Sequence, residues 1–160
     1  MSSFSIATSA SDYAAAQEMF RAYATAININ LDFQHFEEEL SDLPKMYSPP
    51  HGGIILASDQ ELVFGCVAIR RINERDGELK RMYVAPEYQN KGFGKILLQK
   101  ALLLARECNY EKVKLDTLNY MASAIHLYQQ AGFYEIPPYY SNPISTAVYF
   151  EIDLASFFRS

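Results

Sequence analysis

Between a strand-like run, Glu78 to Ala85, and a long apolar-periodic run, Gly92 to Glu107, the chain reads Gln89-Asn90-Lys91-Gly92-Phe93-Gly94-Lys95. A glycine-rich turn opening a helix constrains both the fold and the ligand. With no side chains at Gly92 and Gly94, several backbone N–H groups can converge on one phosphate, and the positive end of the helix dipole favours the same charge. The stretch predicts a pyrophosphate cradle in a strand–turn–helix unit. It lacks the third glycine of a dinucleotide fingerprint and the spacing of a Walker loop, so neither of those nucleotide sites is expected. The competing reading is an ordinary connection whose glycines serve turn geometry alone.

The elements around this unit follow from periodicity. Phe4 to Ala7 alternates like a short strand, and Ser9 and Ser11 offer N-caps for a helix carrying Tyr13, Ala16, Phe20, Tyr23 and Ile27 at helical spacing. Phe33, Phe36 and Leu40 continue that spacing over a second, acidic helix expected to end near Pro44, and the prolines and glycines of residues 47–53 then make a loop. Strands over Gly53–Ser58 and Leu62–Ile72, turning at Asp59-Gln60, lead into the strand ending at Ala85 as an antiparallel meander. After the helix with Phe93, Leu97, Ala101 and Leu104 on one face, Lys112 to Thr117 alternates charged with apolar residues. That strand should pair in parallel through a right-handed crossover. A last helix bears Met121, Ala124, Ile125 and Tyr128 and stops at Gly132, and Phe133–Ile136 with Thr146–Ile152 close the sheet as a hairpin-like pair.

The sum is an α/β fold with a mixed central sheet, antiparallel strands first and a parallel βαβ unit after, flanked by helices. A length of 160 residues suits one domain over 1–160, and 49% hydrophobic residues with 7 Gly and 7 Pro exclude a low-complexity chain. A net charge of −5 with scattered Lys and Arg argues against a nucleic-acid partner, while amine substrates suit it. Cys66 and Cys108 have no metal-ligand spacing, so no metal is expected. No apolar stretch reaches the roughly 20 residues of a membrane span, and a reducing cytoplasm is the expected compartment. His35, His51 and His126 stand in no triad-like arrangement.

Glu78 to Val84, then Gln89 to Gly94, then Ala124-x-x-Leu127-Tyr128-x-x-x-Gly132-Phe133 together resemble the GNAT superfamily of N-acetyltransferases. That family's signature is Q/R-x-x-G-x-G/A after a central strand, followed downstream by A-x-x-L-Y-x-x-x-G-F. The resemblance covers Gly53 to about Phe133 and implies a GNAT-like acyl-CoA N-acyltransferase fold. In it, acetyl-CoA, as cosubstrate, lies where the strand before the loop splays from the strand after the helix. It implies CoA contacts at Met82, Tyr83 and Val84, along Gln89, Asn90, Lys91, Gly92, Phe93, Gly94 and Lys95, and at Tyr128. Relatives usually carry an asparagine seven residues before this tyrosine; the chain has Met121 there, with Asn119 and Ser123 as nearby substitutes.

The resemblance also implies roles. Tyr128 matches the tyrosine that donates a proton to the departing thiolate, and its ordinary pKa of about 10 keeps it protonated at neutral pH. Glu78, eleven residues before Gln89, stands where some relatives keep a general base. On a regularly alternating strand Glu78, Lys80 and Met82 point the same way. The loops Tyr47 to Gly52 and Pro137 to Pro143 read as pocket walls, with Arg81, Tyr140 and Asn142 as candidate substrate contacts, although Arg81 could instead pair with a structural acid. The implied activity is direct transfer of an acetyl group from acetyl-CoA to a primary amine of a small molecule in a ternary complex. The alternatives are a peptide or protein amine as acceptor, or a non-catalytic acyl-CoA sensor. Phe157-Phe158 could seal a homodimer or fold back onto the domain.

Overall fold

The computed structural model describes residues 1–159 with the side chain of Phe33 excepted, so the Phe33 position of the second predicted helix lies outside the described side chains. In chain order the elements are β1 (Ser2–Ile6), α1 (Ala10–Ile27), α2 (Phe36–Ser41), α3 (Leu43–Met46), β2 (Gly53–Asp59), β3 (Leu62–Arg71) and β4 (Asp76–Val84). They continue with α4 (Phe93–Glu107), β5 (Lys112–Leu118), α5 (Ala122–Ala131), β6 (Tyr134–Ile136), β7 (Ala147–Asp153) and α6 (Leu154–Phe157). Short 3₁₀ turns occupy Asp32–Gln34 and Pro86–Tyr88.

Local chemistry explains most boundaries. Ser9 caps α1 in a capping box with Asp12, and Asn28, in the left-handed region, ends it. Gly132 at φ 113° ends α5, a conformation that costs a glycine little. The single acidic helix expected over Phe33 to Pro44 is instead broken. His35 turns left-handed at φ 57° and Asp42 leaves helical geometry, so Pro44 enters the first turn of a new helix, where a missing N–H does no harm, rather than ending the old one.

The strands form one seven-stranded sheet in the order β1-β2-β3-β4-β5-β7-β6. Pairing is antiparallel throughout except between β4 and β5, which run parallel across the α4 crossover. The two faces bury separate cores. On one lie α4 and α5 over Val67, Ile69, Leu79, Val113 and Leu115; on the other, α1 to α3 cover Ile54, Leu56, Cys66 and Ala68. Phe157 and Phe158 lie against the first core, edge to face at 4.9 Å, with the Arg106 guanidinium 4.0 Å from the Phe158 ring centre. Both rings therefore fold back onto their own domain.

Two irregularities position everything that follows. The β4–β5 pairing covers only Asp76↔Lys112, Gly77↔Val113 and Glu78↔Lys114, whereas β4 stays paired to β3 as far as Val84 and β5 to β7 as far as Leu118. Past Glu78 the sheet is open along the β4–β5 seam. In the same stretch Cys66 pairs with Tyr83 but Ala68 with Lys80, so β4 carries one extra residue, and Arg81 adopts φ 60°. Such a bulge resets side-chain alternation. Lys80, which meets Gln34 in the 3₁₀ turn before α2, and Arg81, which meets Glu39 in α2, therefore face the same side, while Met82 and Val84 join the core on the opposite face. The expectation that Met82 follows Glu78 and Lys80 fails because regular alternation stops at the bulge.

Candidate active site

The loop after β4 is built to leave donors free. Gln89 donates its side-chain N–H to the carbonyl of Val84 at 2.9 Å, which folds the strand end back on itself. Asn90 at φ 62° and Gly92 at φ 88° then turn the backbone, and Ile96 is the first residue to bond back into α4, to the Gly92 carbonyl at 3.3 Å. No backbone N–H from Asn90 to Lys95 meets a backbone acceptor among the described residues. A Cβ placed on Gly92 would find nothing within 4 Å, so the loop has open space before it. Free N–H groups at a helix start beside open space suit an anion. Lys91 and Lys95 are exposed at its rim. Gly94 has a different reason: a Cβ there would come 3.4 Å from Leu127 Cδ2, so this glycine lets α4 approach α5.

The open seam continues from that loop. Because Ala85 donates its N–H to Phe64 on the β3 side, alternation aims the Val84 N–H at the gap. Tyr83, Val84, Gln89, Met121, Ser123 and Leu127 line a channel over it; Asn119 is absent from those walls and uses its N–H on the Thr146 carbonyl. The channel shares Tyr23, Ile27, Met82, Met121 and Ala124 with a narrower cavity deeper in the seam. Its polar walls include Gln34, Lys80, Arg81, Asp116, Asn142 and Tyr128.

Tyr128 is buried, yet no hydrogen-bond partner reaches its hydroxyl, and among the described residues no fully buried side-chain oxygen lacks a partner. Its oxygen therefore keeps contact with the cavity. Burial, reinforced by Tyr23 and Asp116, pushes this phenol well above its ordinary range, so it stays protonated across neutral pH.

Glu78 does not line the cavity. It is 2% exposed, and its carboxylate accepts from Arg70 Nε at 2.7 Å and from the Tyr139 hydroxyl at 2.6 Å. Burial alone would raise its pKa, but Lys80, Arg70 and the two hydrogen bonds outweigh burial and hold it below the ordinary carboxylate value. A depressed, fully engaged carboxylate is a poor proton acceptor, so the geometry makes Glu78 an anchor for the Tyr139 loop rather than a base. Arg81 is corrected in the same way. Its Nε and Nη2 grip Glu39 at 3.1 and 2.7 Å, both residues are buried, and the Tyr47 hydroxyl completes Glu39 at 3.0 Å. Two of its nitrogens are thereby committed to Glu39, the structural acid, and Tyr47 is core rather than pocket wall.

The second aromatic loop does reach the site. Tyr140 donates to Asp116 Oδ2 at 2.7 Å and accepts from Gln34 and Asn142, each at 3.0 Å, so it acts by holding other groups. The Cys66 thiol, raised by burial, donates to the Arg81 carbonyl at 3.1 Å, and neither cysteine lines the cavity. Sequence reasoning missed Asp116, Gln34 and Glu39. For Asp116 a signal existed: Lys112, Lys114 and Asp116 share one face of an alternating strand, and only the last falls beyond the paired segment.

The sequence model of the acetyltransferase (GNAT) family matches residues 13–133. An uncharacterised N-acetyltransferase of Schizosaccharomyces pombe is 32% identical over 139 residues, 86% of this chain and 85% of that protein. An acetyltransferase from Streptococcus agalactiae superposes with a TM-score of 0.79 at 21% identity, covering 95% of this chain and 98% of that one. A Salmonella typhimurium acetyltransferase described with its cofactor acetyl-CoA superposes at 0.67 and 18% identity, over 96% and 94% of the two chains.

Proposed function

Because the chain belongs to the GNAT acetyltransferase family, we propose that it moves an acetyl group from acetyl-CoA to a primary amine of a small molecule, by direct transfer within a ternary complex. The observation that carries this reading is the opening that begins at Gln89, next to the free N–H groups at Asn90–Lys95, and runs along the unpaired edge of β4 to the hydroxyl of Tyr128, which has no partner among the described residues. A neighbour of the same fold holds acetyl-CoA, and the residues here fit that molecule: donors for its phosphates, a channel for its arm, a polar pocket at the end.

When bound, acetyl-CoA supplies an activated thioester. The free N–H groups before α4 hold the pyrophosphate, with Gly92 leaving room for it. Val84 offers its N–H to the pantetheine arm in strand-like register, and the backbone at Met82, just past the bulge, stands at the junction of channel and pocket. As the C–N bond forms and the C–S bond breaks, Tyr128 gives the proton at its oxygen to the departing sulfur, and the proton shed by the amine nitrogen passes through water in the opening and restores the phenol. Direct transfer, rather than an acyl-enzyme, is favoured because the one thiol near this strand is buried and committed to a carbonyl.

The test is acetyl-CoA consumption and CoA release across a panel of primary amines, run beside calorimetric titration of acetyl-CoA. Turnover with at least one small amine supports the reading. Tight acetyl-CoA binding with no turnover on any amine, small or peptidic, overturns it in favour of a non-catalytic acyl-CoA module.

A further inference from the structure

The charges around the deep cavity pair off with one pair left over. Arg70 is taken by Glu78 and Arg81 by Glu39, both at 2.7 Å. Lys80 and Asp116 remain. Lys80 is 8% exposed, lines the cavity, and has no carboxylate within ion-pair distance among the described residues; its ammonium meets only the Gln34 amide oxygen, at 3.5 Å, the outer limit of a hydrogen bond. Asp116 lines the same cavity. Its Oδ2 accepts from Tyr140, while no donor among the described residues reaches Oδ1; since no fully buried oxygen is left unpartnered, Oδ1 faces the opening.

Charges withdrawn from solvent are normally paired, yet the buried Lys80 and the half-buried Asp116 line one cavity without forming an ion pair. Burial acts on each accordingly: it depresses the Lys80 ammonium and raises the Asp116 carboxyl, each toward its neutral form. The groups around them are Glu78, Arg81 and Arg70 from β3 and β4, Glu39 from α2, Tyr140 from the loop before β7, Tyr23 from α1 and Tyr128 from α5.

We infer that the acceptor is a small zwitterion, a primary amine carrying a carboxylate a few bonds away, with its ammonium end at Asp116 and its carboxylate at Lys80 and Gln34. This rests on the acetyl-transfer reading above. The polarity follows from position. Asp116 lies on β5, the strand that leads into α5 and Tyr128, which sets the amine at the reacting end, whereas Lys80 meets Gln34 within the 3₁₀ turn after α1. Charge count favours the same class: three cations already face three carboxylates, so a zwitterion enters without adding net charge, while a simple alkylammonium would leave the site with an unbalanced one.

The experiment compares matched acceptors: glycine with glycinamide, β-alanine with β-alaninamide, 4-aminobutyrate with 4-aminobutyramide, and propylamine. In the parent, at least one acid should exceed its amide in kcat/KM by tenfold or more. Lys80→Met should cut that acid-to-amide ratio at least tenfold, mainly through KM, and Lys80→Arg should restore part of it. Circular dichroism and thermal melting check that the variants fold. Parent turnover of amides or propylamine as good as that of every acid overturns the inference and leaves the acetyltransferase reading standing. An unchanged ratio in folded Lys80→Met also overturns it. Failure to turn over any amine overturns both.

Discussion

Arg81 sits at φ 60° within β4, and Glu39, Tyr47 and the rings of Tyr23 and Phe36 surround its guanidinium, the ring centres 5.8 and 5.2 Å away. A left-handed non-glycine residue in a strand is strained by roughly 1–3 kcal/mol and persists only where its surroundings over-determine it. Removing the carboxylate would strand a buried cation. Glu39→Ala is expected to destabilise the fold by about 3–5 kcal/mol in urea unfolding, and adding Arg81→Met should recover much of that loss, because the uncompensated charge goes with it. Tyr128 sets the opposite expectation. Its hydroxyl has no partner among the described residues, so Tyr128→Phe should change unfolding free energy by less than about 1 kcal/mol. Rapid-mixing measurements should show acetyl transfer slowed by roughly 10²-fold. A normally folded, fully active Tyr128→Phe protein would remove Tyr128 from the chemistry.

Among the elements, the N-terminus of α4 and the α4–α5 contact place different demands on two glycines. Gly92 holds φ 88° in front of open space, so Gly92→Val burdens the turn and puts a side chain where an anion would lie. Acetyl-CoA affinity measured by calorimetry should fall at least tenfold, about 1.4 kcal/mol. Gly94→Val instead presses on Leu127, the residue before Tyr128, so its effect should spread to α5: a lower melting temperature and a lower kcat along with any loss of affinity. A Gly94→Val protein with parental melting and kcat but weakened binding would return Gly94 to the cradle.

For the molecule as a whole, the buried carboxylate of Glu78 on β4 and the half-buried one of Asp116 on β5 give stability opposite dependences on pH. Glu78 is depressed in the fold below its ordinary value of 4.5, so its contribution is fully present above that value and is lost as pH falls through the folded pKa. Asp116 is raised above its ordinary 3.8, mainly by burial, so its contribution is present below 3.8 and is lost as pH rises. Urea unfolding between pH 4 and 7 should therefore separate two variants. Relative to the parent, Glu78→Gln should be weaker at pH 7 than at pH 4, and Asp116→Asn should gain as pH rises. The same sign of change for both would contradict these environments.

The sequence by itself determined the order of the strands and of the three long helices, the parallel β4–α4–β5 unit, the glycine loop before α4 and the place of Tyr128 on α5, because hydrophobic period, caps and turn residues act over a few positions along the chain. Resemblance added the splay between β4 and β5 and the family. What only the tertiary structure decided is which charges are committed. Glu78 looked like a base until Arg70 and Tyr139, 8 and 61 residues away, closed on it. For Arg81 the sequence allowed either a substrate or a structural acid, and Glu39, 42 residues away, is the acid that grips it. The bulge that turns Arg81 beside Lys80 depends on β3 pairing across the strand, and the exposure of Asp116 to the cavity depends on the seam opening just beyond the Glu78↔Lys114 pair. Pairing and desolvation are properties of groups brought together by folding, so the reactivity of a side chain belongs to its neighbours in space rather than to its neighbours in sequence.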